Sequence, residues 1–334
     1  MKKRILAYGR LNEAQLAQLS RDFEVQAFHG LDSADDPTFR AALPEAHGLI
    51  GSSLRITPEL LDKAPKLEAI ASVSVGYDNY PVEALSERGI LLCNTPDVLT
   101  ETTADTGFAL IMASARRVVE LADFVRRGDW QASIGHEHFG SDVHGKTLGL
   151  VGFGRIGAAV ARRGALGFGM KVRYSNASPK PALEAELGAE RRELDELLAE
   201  ADFVCLTVPL SEATRHLIGS RELALMKSSA ILVNIARGPV VDEAALIEAL
   251  EMGRIRAAGL DVFEREPLSP ESPLPHMPNV VALPHIGSAT HETRTAMAQR
   301  AVDNLVLALH GERPISLVNE AAWETRRARQ DASS

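Results

Sequence analysis

Long apolar runs, cysteines, aromatics and any excess of positive charge are all scarce in this chain of 334 residues, and each scarcity removes a class of protein. The longest apolar helical stretch, Phe108 to Ala115, falls far short of the ~20 residues needed to cross a bilayer. The N-terminal MKKRILAYGRLNEAQ starts positive, but its apolar run stops at Arg10 and Asn12, too soon for a secretory signal, so a cytoplasmic location is expected. Two cysteines, Cys93 and Cys205, each close an apolar strand-like run. That suits buried thiols in a reducing compartment and offers neither a disulfide framework nor metal-ligand spacing. Lys and Arg number 36 against 45 Asp and Glu, a net charge of -9, and no basic block is interleaved with the aromatics. Nucleic acid and anionic membranes are therefore not expected partners, and small-molecule chemistry is.

What the chain does have is glycine in a pattern. Leu148-Gly-Leu-Val-Gly-Phe-Gly-Arg-Ile-Gly157 joins an apolar run to a G-x-G-x-x-G turn and then to a helix-forming stretch, Ala158 to Leu166. Gly152 permits a tight turn, Gly154 lets backbone approach a pyrophosphate, and Gly157 lets the helix pack on the strand, with the helix N-terminus favouring the anion. A glycine triplet alone also arises in ordinary turns. Here Thr147 to Val151 supplies a strand before it and Met170 to Tyr174 a second strand after it, the β-α-β context that a dinucleotide site requires.

A chain of this length is expected to form two domains. Before the glycine motif, short apolar runs (Ile5 to Tyr8, Glu24 to Phe28, Gly48 to Gly51, Leu67 to Val73, Ile90 to Cys93) alternate with amphipathic helical ones. That alternation predicts a helix-covered parallel sheet. Glu101 to Arg127 reads as one long helix, with Thr100 as N-cap and Gly128 as its end. GDWQASIGHEHFGSDVHGK then reads as an extended arm; its His136, His138 and His144 lack a supporting carboxylate or cysteine pattern, so no metal is expected. Strands recur at Phe203 to Val208, Ala230 to Ile235, Ala257 to Leu260 and Val280 to Leu283, a doubly wound α/β sheet. His291 to His310 reads as a closing helix, followed by a polar tail.

Three loops behind those later strands carry polar residues out of keeping with a core: NIARGPVVD (Asn234 to Asp242), GLDVFEREP (Gly259 to Pro267) and LPHIGSAT (Leu283 to Thr290). Ligands of open α/β sheets sit beyond the carboxyl ends of the strands, which would bring Arg237, Asp261, Glu266 and His285 toward one site. Reduction of a 2-keto acid needs such a set. A guanidinium grips the carboxylate with two hydrogen bonds, an imidazolium protonates the carbonyl oxygen, and a carboxylate orients the imidazole and favours its protonated form. Taken singly, each residue also has a plain structural reading: Arg237-Gly238-Pro239 as a turn, Glu266 as a solvated charge, His285 as a capping histidine.

Taken together, SVGYDN (Ser74 to Asn79), TETTADT (Thr100 to Thr106), GKTLGLVGFGRIG, TVPL (Thr207 to Leu210), NIARGPVVDE, AAGLDVFEREPL and LPHIGSATHETR resemble the D-isomer-specific 2-hydroxyacid dehydrogenases over nearly the whole chain. The resemblance implies two doubly wound domains. One is a Rossmann-type dinucleotide-binding domain (101–289) and the other a flavodoxin-like substrate domain made of both chain ends (1–100 and 290–334). It implies Arg237, Glu266 and His285 as the catalytic triple, the Val75-Gly76 backbone as a second grip on the substrate carboxylate, and Asp261 near the nicotinamide carboxamide. Cofactor contacts are implied at Thr106, Gly152, Gly154, Arg155, Ile156, Gly157, Val208, Pro209, Thr214, Ile235, Ala236, Arg237, His285 and Gly287. Small 2-keto acids (glyoxylate, hydroxypyruvate, 2-ketogluconate) are the implied substrates, and homodimers through the nucleotide domain and its arm the implied assembly. Phosphite oxidation and a nucleotide-sensing scaffold are the alternative functions within the same fold.

The chain departs from the family's pattern after Met170 to Tyr174, where similar reductases often present arginines and this one reads YSNASPKP. An Asp or Glu about 20 residues past the glycine turn usually binds the free ribose hydroxyl of NAD. Between Gly152 and Lys180 there is none. Ser175, Asn176, Ser178 and Lys180, with Arg173 just before them, can instead donate to a 2′-phosphate. NADPH is therefore expected to be preferred, with NAD use possible.

Overall fold

A computed structural model describes residues 2–9, 11–31 and 33–331, which fall into two units: 1–99 with 290–334, and 100–289. The first unit opens with β1 (Arg4–Ala7), α1 (Glu13–Asp22), β2 (Glu24–Ala27), α2 (Pro37–Ala42) and β3 (Ala46–Gly51). It continues through α3 (Pro58–Leu61), β4 (Ala69–Ser72), α4 (Val82–Arg88) and β5 (Leu91–Cys93). All five strands are parallel, in the order β2-β1-β3-β4-β5, the flavodoxin-like winding. Leu6, Leu49, Ile70 and Leu92 bury one face against Phe39, Leu43 and Leu85.

The second unit begins with α5 (Thr100–Ala115) and α6 (Val118–Arg126), which differ from the single helix expected over Glu101 to Arg127. The break is at Arg117, which takes a left-handed φ of +54° while its guanidinium pairs with Glu120 at 2.6 Å. A residue from the following arm completes it: the Ser141 amide donates to the Ala115 carbonyl at 2.8 Å, occupying a terminal acceptor of α5.

The glycine unit follows as β6 (Thr147–Val151), α7 (Arg155–Arg162) and β7 (Lys171–Ser175), then α8 (Pro181–Leu187), β8 (Glu190–Arg191), α9 (Leu194–Glu200) and β9 (Phe203–Leu206). The unit closes with α10 (Ser220–Leu225), β10 (Ile231–Asn234), α11 (Glu243–Glu251), β11 (Ala257–Leu260) and β12 (Val280–Ala282). Its seven parallel strands run β12-β11-β10-β9-β6-β7-β8, the Rossmann order with one more strand at the far edge. Strand periodicity divides the core. Phe203 and Cys205 of β9 enter the layer with Phe108 and Ala159, whereas Val204 and Leu206 enter the opposite layer with Leu197 and Leu246. Burial pushes the thiols of Cys93 and Cys205 up to about 12, as suits inert core positions.

The chain then returns to the first unit as α12 (His291–His310) and α13 (Glu320–Asp331). Gly48 of β3 lies under Leu305 and Leu309, so α12 covers the sheet face that Ile5 presents. The expected polar tail is in part a helix. Arg326 of α13 donates to the carbonyls of Gly89 (3.0 Å), Ala308 (3.2 Å) and Glu68, which binds that polar stretch to the sheet's edge.

Candidate active site

The glycine turn is tight for steric reasons. Gly152 has φ +94°, and a β-carbon there would lie 2.9 Å from the Val208 amide nitrogen; one on Gly157 would lie 2.5 Å from the Gly152 carbonyl oxygen. The Thr207 hydroxyl donates to that same carbonyl at 2.8 Å. Gly154 caps α7 with no side-chain bond and faces open space, so an anion can approach the N-terminus of α7, whose first amides have no partner within a helix. The residues present therefore fit a dinucleotide pyrophosphate.

At the end of β7 the side chains are more committed than the sequence suggested. Asn176 Oδ1 accepts from the Phe153 amide (3.2 Å) and its Nδ2 donates to the Ser178 carbonyl (2.9 Å), so this amide locks the turn to the glycine loop. Lys180 opens α8, its amide donating to the Tyr174 hydroxyl at 2.9 Å. Arg173, expected to contribute its charge here, is instead paired with Glu190 (3.0 Å) and Glu200 (3.3 Å). The arginine that does reach the turn went unnoticed in the sequence: Arg191 Nε donates to the Asn176 carbonyl at 3.2 Å.

The three polar loops follow β10, β11 and β12 and gather at the carboxyl edge of the second sheet. Asn234, almost wholly buried, accepts from the Ala236 amide (3.0 Å) and donates to the Arg237 carbonyl (3.0 Å), which fixes the backbone on which Arg237 stands. An asparagine closing an otherwise apolar strand is the signal that would have singled it out. Next to Arg237, Gly238 packs directly on the backbone of Phe263 and Glu264, pressing the first loop onto the second.

The second loop holds the third. The Asp261 carboxylate is buried and accepts from the amides of Ile286 (2.7 Å) and Gly287 (2.8 Å). Burial outweighs both amides and holds this carboxyl above its ordinary value. His285, immediately before those amides, has a left-handed φ of +54°, a conformation that costs of order 1 kcal/mol for such a residue and that the Asp261 bonds offset. Its Nδ1 meets Glu266 Oε2 at 2.7 Å, while Glu266 Oε1 accepts from the Phe263 amide at 3.1 Å. Burial pushes the Glu266 carboxyl up, but the bond and charge of His285, the Phe263 amide and the charge of Arg237 bring it below the ordinary carboxylate value. The imidazole is thus left with Nε2 to present.

Of the remaining expected residues in this unit, Ile235 and Ala236 are buried in the first loop, and Val208 and Pro209 follow β9. The Thr214 hydroxyl donates to the Pro209 carbonyl (2.6 Å) and closes its own loop. Thr106 bonds back to the Thr102 carbonyl within α5 (3.3 Å); Arg155 and Ile156 begin α7. His136 rests edge-on against Phe139 and His138 lies against Phe124. In the first unit, the Asn94 amide donates to the Val75 carbonyl (2.9 Å) and the Ser74 hydroxyl to the Gly76 carbonyl (2.5 Å). Both carbonyls are anchored, and among the described residues neither the Val75 nor the Gly76 amide is used within the chain.

A guanidinium, a carboxylate-bound imidazole and a buried aspartate at the strand ends share their sheet with a dinucleotide turn, and the chain is similar to known proteins over nearly its whole length. Residues 108–287 match the family model described as D-isomer specific 2-hydroxyacid dehydrogenase, NAD binding domain. The glyoxylate/hydroxypyruvate reductase B of Yersinia enterocolitica is 56% identical over 319 residues, 96% of this chain and 98% of that protein. A crystal structure of a Thermus thermophilus protein superposes with a TM-score of 0.87 at 46% identity, covering 94% of this chain and 99% of the other. The NADPH-dependent glyoxylate/hydroxypyruvate reductase of Sinorhizobium meliloti, solved with NADP and malonate, superposes with a TM-score of 0.86 at 35% identity, covering 96% and 98%. With the glycine turn, the strand order and these full-length likenesses in agreement, this chain belongs to the D-isomer specific 2-hydroxyacid dehydrogenases.

Proposed function

We propose that this protein reduces small 2-keto acids, glyoxylate and hydroxypyruvate foremost with 2-ketogluconate a further candidate, to D-2-hydroxy acids. The observation that carries this reading is the 2.7 Å contact between His285 Nδ1 and Glu266 Oε2 at the strand ends. When bound, the reduced nicotinamide supplies a hydride to the carbonyl carbon. Arg237 holds the substrate carboxylate. His285, its Nδ1 engaged by Glu266, gives the Nε2 proton to the carbonyl oxygen as negative charge develops there, and regains a proton from solvent after the hydroxy acid leaves. Glu266 keeps the ring oriented; Asp261 keeps the loop that carries it in place. Residues 100–289 form the cofactor-binding domain in this reading, and 1–99 with 290–334 the substrate domain. Activity of the purified protein on glyoxylate, hydroxypyruvate and 2-ketogluconate, each with NADPH and NADH, tests it: no turnover on any of the three removes the reading.

NADPH is the preferred cofactor in this reading. The absence of any acid between Gly152 and Lys180 supports it, since no carboxylate there accepts from a free ribose hydroxyl or repels a 2′-phosphate. That the similar Sinorhizobium meliloti enzyme is NADPH-dependent adds weight. The protein is further read as a homodimer through the second unit. No residue of α6 is buried, and Val118, Val119, Val125, Trp130, Ile134 and Phe139 leave large apolar side chains exposed along one continuous stretch. A solution mass twice the 36.0 kDa of one chain, reduced by Val125→Glu with Trp130→Glu, is the expected result.

A further inference from the structure

The turn after β7 must distinguish the two nicotinamide cofactors, yet its one side-chain amide is committed to the turn itself. Asn176 bonds to the Phe153 amide and the Ser178 carbonyl. A cation reaches the turn from the neighbouring edge strand. β8 runs parallel to β7 with Arg191 opposite Tyr174, and from there the exposed guanidinium extends to the Asn176 carbonyl at 3.2 Å.

The charges around it are unequally shared. Arg173 and Arg192 are both paired with Glu190 and Glu200: 3.0 and 3.3 Å for Arg173, 2.6 and 3.3 Å for Arg192. Two cations there face two carboxylates. Among the described residues no carboxylate pairs with Arg191, which adds to Lys180 of the turn a positive charge that this corner of the sheet does not neutralise. Its one neutral partner uses one of five N–H donors and leaves the fork available. The corner is the carboxyl end of the second strand of the glycine unit, where the adenosine ribose of a dinucleotide lies.

We propose that Arg191 is the specificity-determining residue that reads the 2′-phosphate of NADPH, taking over from strand β8 the part that an arginine within the turn would otherwise play. The proposal rests on the reading that NADPH is preferred. Asn176 then acts as the anchor that holds the turn under the guanidinium, and the fork exchanges a neutral carbonyl for a dianion, a stronger and bidentate partner.

Calorimetric titration of the full chain with adenosine 2′,5′-bisphosphate and with 5′-AMP tests this without turnover. Wild type is expected to bind the bisphosphate more tightly. Arg191→Ala should weaken that ligand about tenfold or more, leave 5′-AMP unchanged, and raise KM for NADPH but not for NADH. Arg191→Lys, which keeps charge but not the fork, should fall between. If wild type prefers the bisphosphate and Arg191→Ala retains that preference, Arg191 is not the reader although the cofactor preference stands. An equal loss for both ligands would make the residue a support of the turn, which also overturns the proposal. Equal binding of the two ligands by wild type would overturn the NADPH preference itself, and the Arg191 proposal with it.

Discussion

A β-carbon placed on Gly238 would stand 1.8 Å from both the carbonyl carbon and the carbonyl oxygen of Phe263. No side chain fits there, so at Gly238 the loop carrying Arg237 and the loop carrying Glu266 meet backbone to backbone. That contact is rigid because neither partner has a flexible end to yield.

Gly238→Ala is therefore expected to displace the first loop from the second. An overpacked substitution of this kind costs about 1 to 3 kcal/mol, and a displacement near 1 Å at a catalytic group costs on the order of a hundredfold in rate. Thermal unfolding and steady-state kinetics should both change, with the larger effect on kcat/KM. A folded variant with wild-type kinetics would show that the two loops position their side chains independently.

Arg237→Lys should lower kcat/KM for every keto acid about tenfold or more while leaving KM for the cofactor unchanged. An ammonium keeps the charge but not the planar pair of donors that a carboxylate fits. Because Asn234 fixes the residue through its backbone, the substitution leaves the loop itself in place. Full activity in the lysine variant would remove Arg237 from carboxylate recognition.

The His285–Glu266 pair should set the pH dependence. Reduction needs the imidazole protonated, so its rate should fall as pH rises through the apparent pKa of the pair; the reverse oxidation should rise over the same range. Burial pushes the Glu266 carboxyl up, but the hydrogen bond and charge of His285 help hold it below its ordinary value. Glu266→Gln removes the negative charge, makes the imidazolium easier to deprotonate, and should move the alkaline limb of reduction to lower pH. Superimposable profiles for the two proteins, with chemistry limiting in both, would falsify the pairing.

Ser175→Asp places a carboxylate at the end of β7, beside the Gly152 amide that donates to the Ser175 carbonyl at 2.9 Å. Like charge near a 2′-phosphate should shift the ratio of efficiencies toward NADH about tenfold or more. Catalytic efficiency with each cofactor at saturating keto acid measures the shift. A ratio that does not move would mean that the ribose lies elsewhere.

Both sheets, and the placing of Arg237, Glu266 and His285 behind consecutive strands, were legible in the sequence. These depend on local pattern: apolar runs of strand length, helical periodicity between them, and polar residues where each strand ends. The glycine spacing was legible for the same reason, since Gly152, Gly154 and Gly157 act within a single turn. Local pattern misled where a distant group intervened. Glu101 to Arg127 has helical composition throughout, yet the Ser141 amide and the Arg117–Glu120 pair divide it. The last helix reads as a polar tail because its anchors are the carbonyls of Gly89, Ala308 and Glu68, which no pattern within the tail reveals. The sequence by itself determined which side chains stand at the strand ends. Only the tertiary structure decided which of them are committed: it consumed Arg173 in a network with Glu190 and Glu200 and brought Arg191 from a neighbouring strand to the turn. Charge pairing falls off over a few ångströms of space, and separation along the chain does not measure that distance.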